Sequence, residues 1–273
     1  MVRRALEIRR VGHTGTLDPF ATGVLPICVG KATRLAALLS GGVKAYDASM
    51  RLGFATSTDD RTGTPLGPPM PVAVTRDAAE AVCRRFVGEL DQVPPAYSAK
   101  RVAGKRLYEL ARSGVRMPCK PSRVTVLALE VRHVGDARLD FGVRCSSGTY
   151  VRALARDIGA ALGTGGHLSA LRRTESAGFG LPEAVTWGEL TRADLRSKIV
   201  PLQALLPEIP AVRVGAQGLR ALRHGRDLER SALIEGSDWR DGERFRILAE
   251  DGALVALATP TGARLHPHVV LVE

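Results

Sequence analysis

Hydrophobic and polar residues alternate most cleanly from Lys44 to Phe54, where Tyr46, Ala48, Met50, Leu52 and Phe54 share one face. A period of two over this length predicts a half-buried strand. Residues 122–134 and 138–145 predict two more strands, joined by a turn at Gly135-Asp136. In the second of these, Leu139, Phe141, Val143 and Cys145 point one way. Elsewhere the pattern lengthens. Residues 75–86 read as an amphipathic helix, 32–39 ("ATRLAALL") as another, and 2–9 as the end of a helix. "GTYVRALARDIGAALG" predicts a helix entered through Ser146-Ser147-Gly148 and stopped at Gly163. Between these elements, 10–30 reads as a glycine-rich loop and "TSTDDRTGTPLGPPMP" as a turn-rich connector. The order is neither strictly βαβ nor all-β, so the expected class is α+β with a mixed sheet.

A boundary is expected near "LLPEIPAV", where Pro207 and Pro210 interrupt helix and short strands follow in "RFRILAEDGALVALATP" and "HVVLVE". This divides the chain into 1–205 and a small β-barrel module over 206–273. The charge balance changes at the same place: residues 1–205 carry a net +12 and 206–273 a net −1, of a total of +11. A basic body suggests a polyanionic partner. The 273 residues, 45% hydrophobic, are enough to bury a core. No apolar run approaches the roughly 20 residues needed to span a bilayer, and "MVRRALEIRR" lacks the apolar stretch of a secretory signal. Cys28, Cys83, Cys119 and Cys145 are far apart and form no CxxC pair. That argues against a zinc ribbon or disulfide framework and for reduced thiols in a cytoplasm.

Candidate chemistry begins with "RRVGHTGTLDPFATGVLPICVGKATRL", in which Gly12, Gly15 and Gly23 surround a single acid, Asp18. Pro19 holds Asp18 extended, and the glycines permit sharp turns and close approach of a ligand. A carboxylate so presented can serve as nucleophile or base when a cation keeps it ionised; the plain reading is a loop acid capping the next helix. Tyr46 is by periodicity a core residue, and by chemistry a ring that could stack on a base and move a proton. Arg152 and Arg156 lie one helical turn apart, either as a solvated stripe or as a buried partner for a carboxylate. Residues 98–123 hold eight cations against one acid, Glu109, with Tyr97 and Tyr108 in or beside the run, as an RNA-contacting insertion would. His266-Pro267-His268 is too little for a metal site. Walker A, GxSxG and HExxH motifs are absent.

"GHTGTLDPFATGVLPICVGKATRL", "KAYDASMRLG", "YSAKRVAGKRLYELAR", "CSSGTYVRALARDIG" and "GGHLSALRRT" follow one another over residues 10 to 175. Together they resemble the tRNA pseudouridine synthase B family, which isomerises uridine 55 in the TΨC loop of tRNA. The resemblance implies the pseudouridine-synthase fold, with a mainly antiparallel central sheet flanked by helices, and a PUA-like barrel over 206–273. By position it implies that Asp18 is the catalytic aspartate, Tyr46 the active-site tyrosine and Arg152 the arginine paired with the aspartate. It places Leu171 under the target base and His13 in the gap left by the flipped nucleotide. Lys44, Lys100, Arg101, Lys105, Arg106 and Arg172 are the further expected RNA contacts.

No cofactor or metal is implied, because the detached uracil stays in the site. The implied partner is tRNA, with no membrane and no obligate protein partner, and the expected state is a monomer. The family usually has, before the first helix, a segment with a Lys-Pro motif and a first strand. Its lack ahead of Met1 leads us to expect either a start codon assigned too late or a truncated form, and the change to bear on stability more than on chemistry. Two other functions fit the same residues: a synthase of this fold acting on another RNA, and a non-catalytic RNA-binding or tRNA-folding module.

Overall fold

The computed structural model describes residues 1–98, 101–102, 105–106, 119–191, 195–236, 239 and 242–272, with the backbone alone for 101–102 and 105–106. It divides into two compact units. One comprises Thr14–Pro26 and Leu38–Ala184; the other comprises Met1–His13, Ile27–Ala37 and Val185–Glu273.

The larger unit is built on a seven-stranded sheet. Its neighbours run Phe179–Gly180, Gly166–Ser176, Lys44–Leu52, Arg138–Cys145, Ser122–Gly135 and Gly88–Gln92, each pair antiparallel. Thr22–Gly23 adds in parallel beside Gly166–Ser176, which makes the sheet mixed. The period-two residues land as their pattern requires. Tyr46, Ala48, Met50 and Leu52 are buried, as are Leu139, Phe141, Val143 and Cys145, all in one core. Two helices cover that face. Arg76–Arg84 starts at Thr75, whose hydroxyl accepts the Ala78 amide at 3.2 Å, and it buries Ala79 and Cys83 one turn apart. Val151–Ala161 buries Leu154, Ala155 and Ile158. At Gly159 an added Cβ would lie 2.5 Å from the Gly166 amide nitrogen, so glycine lets this helix press on the neighbouring strand.

Several local expectations shift. The loop expected over 10–30 contains the short strands Val11–His13, Thr22–Gly23 and Ile27–Val29. The hairpin turn falls at Asp136–Ala137, whose φ angles of 52° and 55° are left-handed, and Gly135 ends the strand before it. That is the geometry in which a two-residue loop matches strand twist. The helix expected over 32–39 is a 3-10 segment, Gly30–Leu35, continued by the α-helix Ala36–Ser40. The strand Gly166–Ser176 was not foreseen. Register shifts between Leu168 and Ala170, and between Arg173 and Glu175, break its alternation, and a buried arginine stands where the pattern calls for an apolar residue.

The smaller unit carries a six-stranded sheet ordered Leu228–Glu229, Arg264–Val270, Leu254–Thr261, Phe245–Ala249, Ala211–Val214 and Leu233–Glu235, curled into a nearly closed barrel. Its core includes Val214, Leu222, Leu228, Ile247, Ala256 and Leu265. The short pair Val11–His13 and Ile27–Val29 belongs to the same unit. Among the described residues no helix is long and apolar enough to cross a membrane.

Candidate active site

Asp18 opens a tight turn. Its carbonyl accepts the Ala21 amide at 2.9 Å, with Pro19 at the turn position its fixed φ suits. The turn leaves the carboxylate partly open, with 28% of the side chain exposed, and a single arginine holds it from behind. Arg152, whose side chain is 6% exposed, donates from Nε to Oδ2 at 2.9 Å and from Nη2 to Oδ1 at 2.8 Å. Two parallel charge-assisted bonds fix the plane of the carboxylate as well as its distance.

Arg152 is itself held on its remaining donors. Nη1 donates to the Thr58 carbonyl at 3.1 Å and Nη2 to the Tyr97 carbonyl at 3.0 Å. The carboxylate of Asp60, also 6% exposed, lies 3.6 Å from Nη1. Asp60 is held in turn, because its Oδ1 accepts from Thr58 Oγ1, the Thr62 amide and Thr62 Oγ1 at 2.6–2.9 Å. The order from solvent inward is therefore acid, base, acid. The helix bearing Arg152 is anchored at its start by Gln92, whose side chain donates to the Tyr150 carbonyl at 3.1 Å and accepts the Tyr150 amide at 2.8 Å. Arg156, one turn on, pairs instead with Asp59 and Asp157.

Tyr46 sits on the central strand within the electrostatic reach of Asp18. Burial pushes its phenol above the ordinary tyrosine range, and the guanidinium of Arg173 offsets only part of that rise. The phenol is a poor base unless something else takes or shares its proton. Lys44 is buried on the same strand and donates to the carbonyls of Ser40 at 2.9 Å and Gly42 at 3.3 Å; burial lowers its pKa, and the Arg173 charge adds to the effect. Leu171 is buried and pairs across strands with Ala48. It borders an open cavity of about 470 Å³ that Phe20, Thr22, Arg61 and the exposed Arg172 also line. The Arg61 guanidinium lies 5.7 Å from the centre of the Phe20 ring.

The structure thus brings Asp18, Arg152 and Tyr46 together and puts Leu171 and Arg172 at a cavity that begins two residues beyond Asp18. His13 is exposed on a strand of the smaller unit. Lys100 lies outside the described residues, as does most of the basic run. Of Arg101, Lys105 and Arg106 the backbone is described, in a short antiparallel pairing of Arg101–Val102 with Lys105–Arg106. Asp60 and Tyr150 escaped the sequence reading. A usable signal for Asp60 was "TSTDDRT", where several hydroxyls flank adjacent acids that can turn back on the backbone. For Tyr150 the signal was its place two residues before Arg152. Burial raises the Tyr150 phenol pKa, and both Arg152 and Asp18 act on it.

The chain that carries this clamped carboxylate has relatives among known proteins. Residues 3–151 match the TruB family pseudouridylate synthase N-terminal domain, and residues 152–207 the tRNA pseudouridylate synthase B C-terminal domain. The chain belongs to the TruB family of pseudouridylate synthases. It is 41% identical over 266 residues to tRNA pseudouridine synthase B of Halalkalibacterium halodurans, covering 94% of this chain and 85% of that protein. To the protein of the same name from Burkholderia pseudomallei it is 40% identical over 273 residues, covering 99% and 90%. Among solved structures, a chain of a Cbf5-Nop10-Gar1 complex superposes with a TM-score of 0.75 at 27% identity, covering 100% of this chain and 79% of that one. A chain of an H/ACA ribonucleoprotein bound to a substrate RNA containing 2′-deoxyuridine superposes with a TM-score of 0.72 at 26% identity, with the same coverage.

Proposed function

We propose that this chain isomerises uridine to pseudouridine at position 55 in the TΨC loop of tRNA, with Asp18 as nucleophile. The observation that carries this reading is the two-bond clamp of Arg152 on an accessible Asp18, within a chain of the TruB family. The reaction breaks the bond from uracil N1 to the ribose, turns the base and joins C5 to the same sugar carbon, while C5 gives up its proton. Atoms balance within the substrate, with one proton leaving C5 and one reaching N1.

The target nucleotide leaves its stack first, at a cost of a few kcal/mol that pocket contacts offset. Leu171 and the Tyr46 ring take up the faces of the base, and Asp18 attacks the nucleoside. Arg152 keeps the carboxylate in one orientation through bond breaking and rejoining, so little rearrangement is needed in the transition state. Tyr46 relays the C5 proton; because burial raises its pKa, it works as a shuttle rather than as a standing phenolate. The basic run over 98–123 and the C-terminal barrel read the shape and phosphates of the RNA.

The test is tritium release from a tRNA transcript labelled at uridine C5, with the parent compared to Asp18→Asn. Release by the parent alone, with tRNA affinity kept within several-fold by the variant, is the expected result. Release by Asp18→Asn at the parent's rate would remove Asp18 from the chemistry. A parent that binds transcript and releases nothing would return the chain to the binding-module reading.

A further inference from the structure

Directly across from Tyr46, on the adjoining strand, stands Arg173. It is the largest of the fully buried side chains, 1% exposed. A guanidinium in the core is expensive unless its donors and charge are met, and an apolar side chain of similar volume would cost less. Arg173 makes no carboxylate pair among the described residues. Its Nε donates to the Val24 carbonyl at 2.7 Å and its Nη2 to the Gly15 carbonyl at 3.1 Å. Those two carbonyls bracket the segment that carries Asp18.

The backbone closes the same clasp. The Val24 amide donates to the Arg173 carbonyl at 2.8 Å, and Thr22–Gly23 pairs in parallel with Arg172–Arg173. At Gly23 φ is 102°, and a Cβ there would lie 2.1 Å from the Arg173 carbonyl oxygen, so only glycine allows this approach. The Arg173 charge also acts on the Tyr46 phenol across the strand pair. One side chain therefore bonds both ends of the nucleophile loop from the strand position opposite the tyrosine.

Building on the reading of Asp18 and Tyr46 as the reacting pair, we infer that Arg173 is a positioning residue that ties both ends of the Asp18 loop to the sheet and so sets the carboxylate against the Tyr46 phenol. Lysine does this work less well: it keeps the charge, but its donors all radiate from one nitrogen, whereas Arg173 reaches Val24 and Gly15 from two separate nitrogens held in a plane.

The test uses the full chain as Arg173→Met and Arg173→Lys, with three readouts: single-turnover tritium release at saturating enzyme, tRNA affinity, and amide hydrogen exchange over 15–24. Displacing a reacting group by about 1 Å costs on the order of 100-fold, so Arg173→Met is expected to react about 100-fold slower and Arg173→Lys about 10-fold slower. Affinity stays within about threefold, because the loss falls on the chemical step and not on binding. Exchange over 15–24 quickens in both variants while the Lys44–Leu52 strand keeps its protection. If Arg173→Met does not fold, Arg173→Lys decides alone. A folded variant reacting at the parent's rate, an affinity loss as large as the rate loss, or unchanged exchange in the loop would each overturn the inference. A parent that releases no tritium would instead count against the proposed function, and loop exchange would still judge Arg173.

Discussion

Replacing Asp60 with asparagine removes one negative charge from behind Arg152 and changes the shape of the side chain hardly at all. The Oδ2 of Asp60 lies 3.6 Å from Arg152 Nη1, and both side chains are 6% exposed. At an effective dielectric constant of about 20, unit charges at the 3.6 Å separation attract by about 4–5 kcal/mol. Part of this survives the substitution. Arg152 keeps Asp18 as a counter-charge, and the asparagine oxygen can still accept the three bonds from Thr58 and Thr62. Its amide then faces Arg152, donor against donor. The expected loss of unfolding free energy is about 2–4 kcal/mol.

The guanidinium, no longer drawn inward, follows Asp18 and carries the carboxylate with it. A shift of about 1 Å implies turnover slower by 10- to 100-fold, with tRNA affinity unchanged. Urea denaturation followed by circular dichroism reads the first quantity, and single-turnover tritium release reads the second. An Asp60→Asn protein that unfolds at the parent's midpoint and reacts at the parent's rate would refute the acid–base–acid stack as a working unit.

Three further outcomes follow from other parts of the molecule. Burial pushes the Cys83 and Cys145 thiols up to about 11, from 9.0. Between those values the unfolded chain has lost both protons and the folded chain has not, so stability is full below pH 9 and falls as pH rises through 11, by about 3 kcal/mol per thiol. Urea melts across that range should show the fall, and a Cys83→Ala/Cys145→Ala double variant should flatten it; an unflattened slope would assign it elsewhere. Gly23→Ala should cost at least about 2 kcal/mol and slow the reaction, because it forces a Cβ against the Arg173 backbone; near-parent stability and rate would show that the loop accommodates it. Neutralising Lys100, Arg101, Lys105 and Arg106 together should weaken tRNA binding and flatten its dependence on salt, by up to about 0.7–0.9 in log–log slope for each phosphate no longer neutralised. Unchanged salt dependence would take the basic run out of the interface.

How much of this was legible beforehand depended on the kind of signal. The central strand and the 138–145 strand could be read because each keeps strict alternation over a buried face, and the Thr75 start of the first covering helix is a local hydrogen bond. Gly166–Ser176 could not, because its two register shifts and the buried Arg173 each defeat a rule that assumes unbroken pairing and apolar cores. Asp18 drew attention through Pro19 and the glycines around it, which are local constraints on the backbone. That Arg152 was its partner entered through resemblance alone, since residue spacing says nothing about a bond between positions 134 apart.

What the sequence determined by itself was therefore local: periodicity, the Pro19-constrained loop at Asp18, the glycines that permit tight approach, the basic body and the family motifs. What only the tertiary structure decided was which charges meet. Asp60 behind Arg152, and Arg173 across the base of the Asp18 loop, come from segments that sheet pairing and helix packing bring together. A buried charge takes its meaning from its partners, and those are chosen by the fold as a whole.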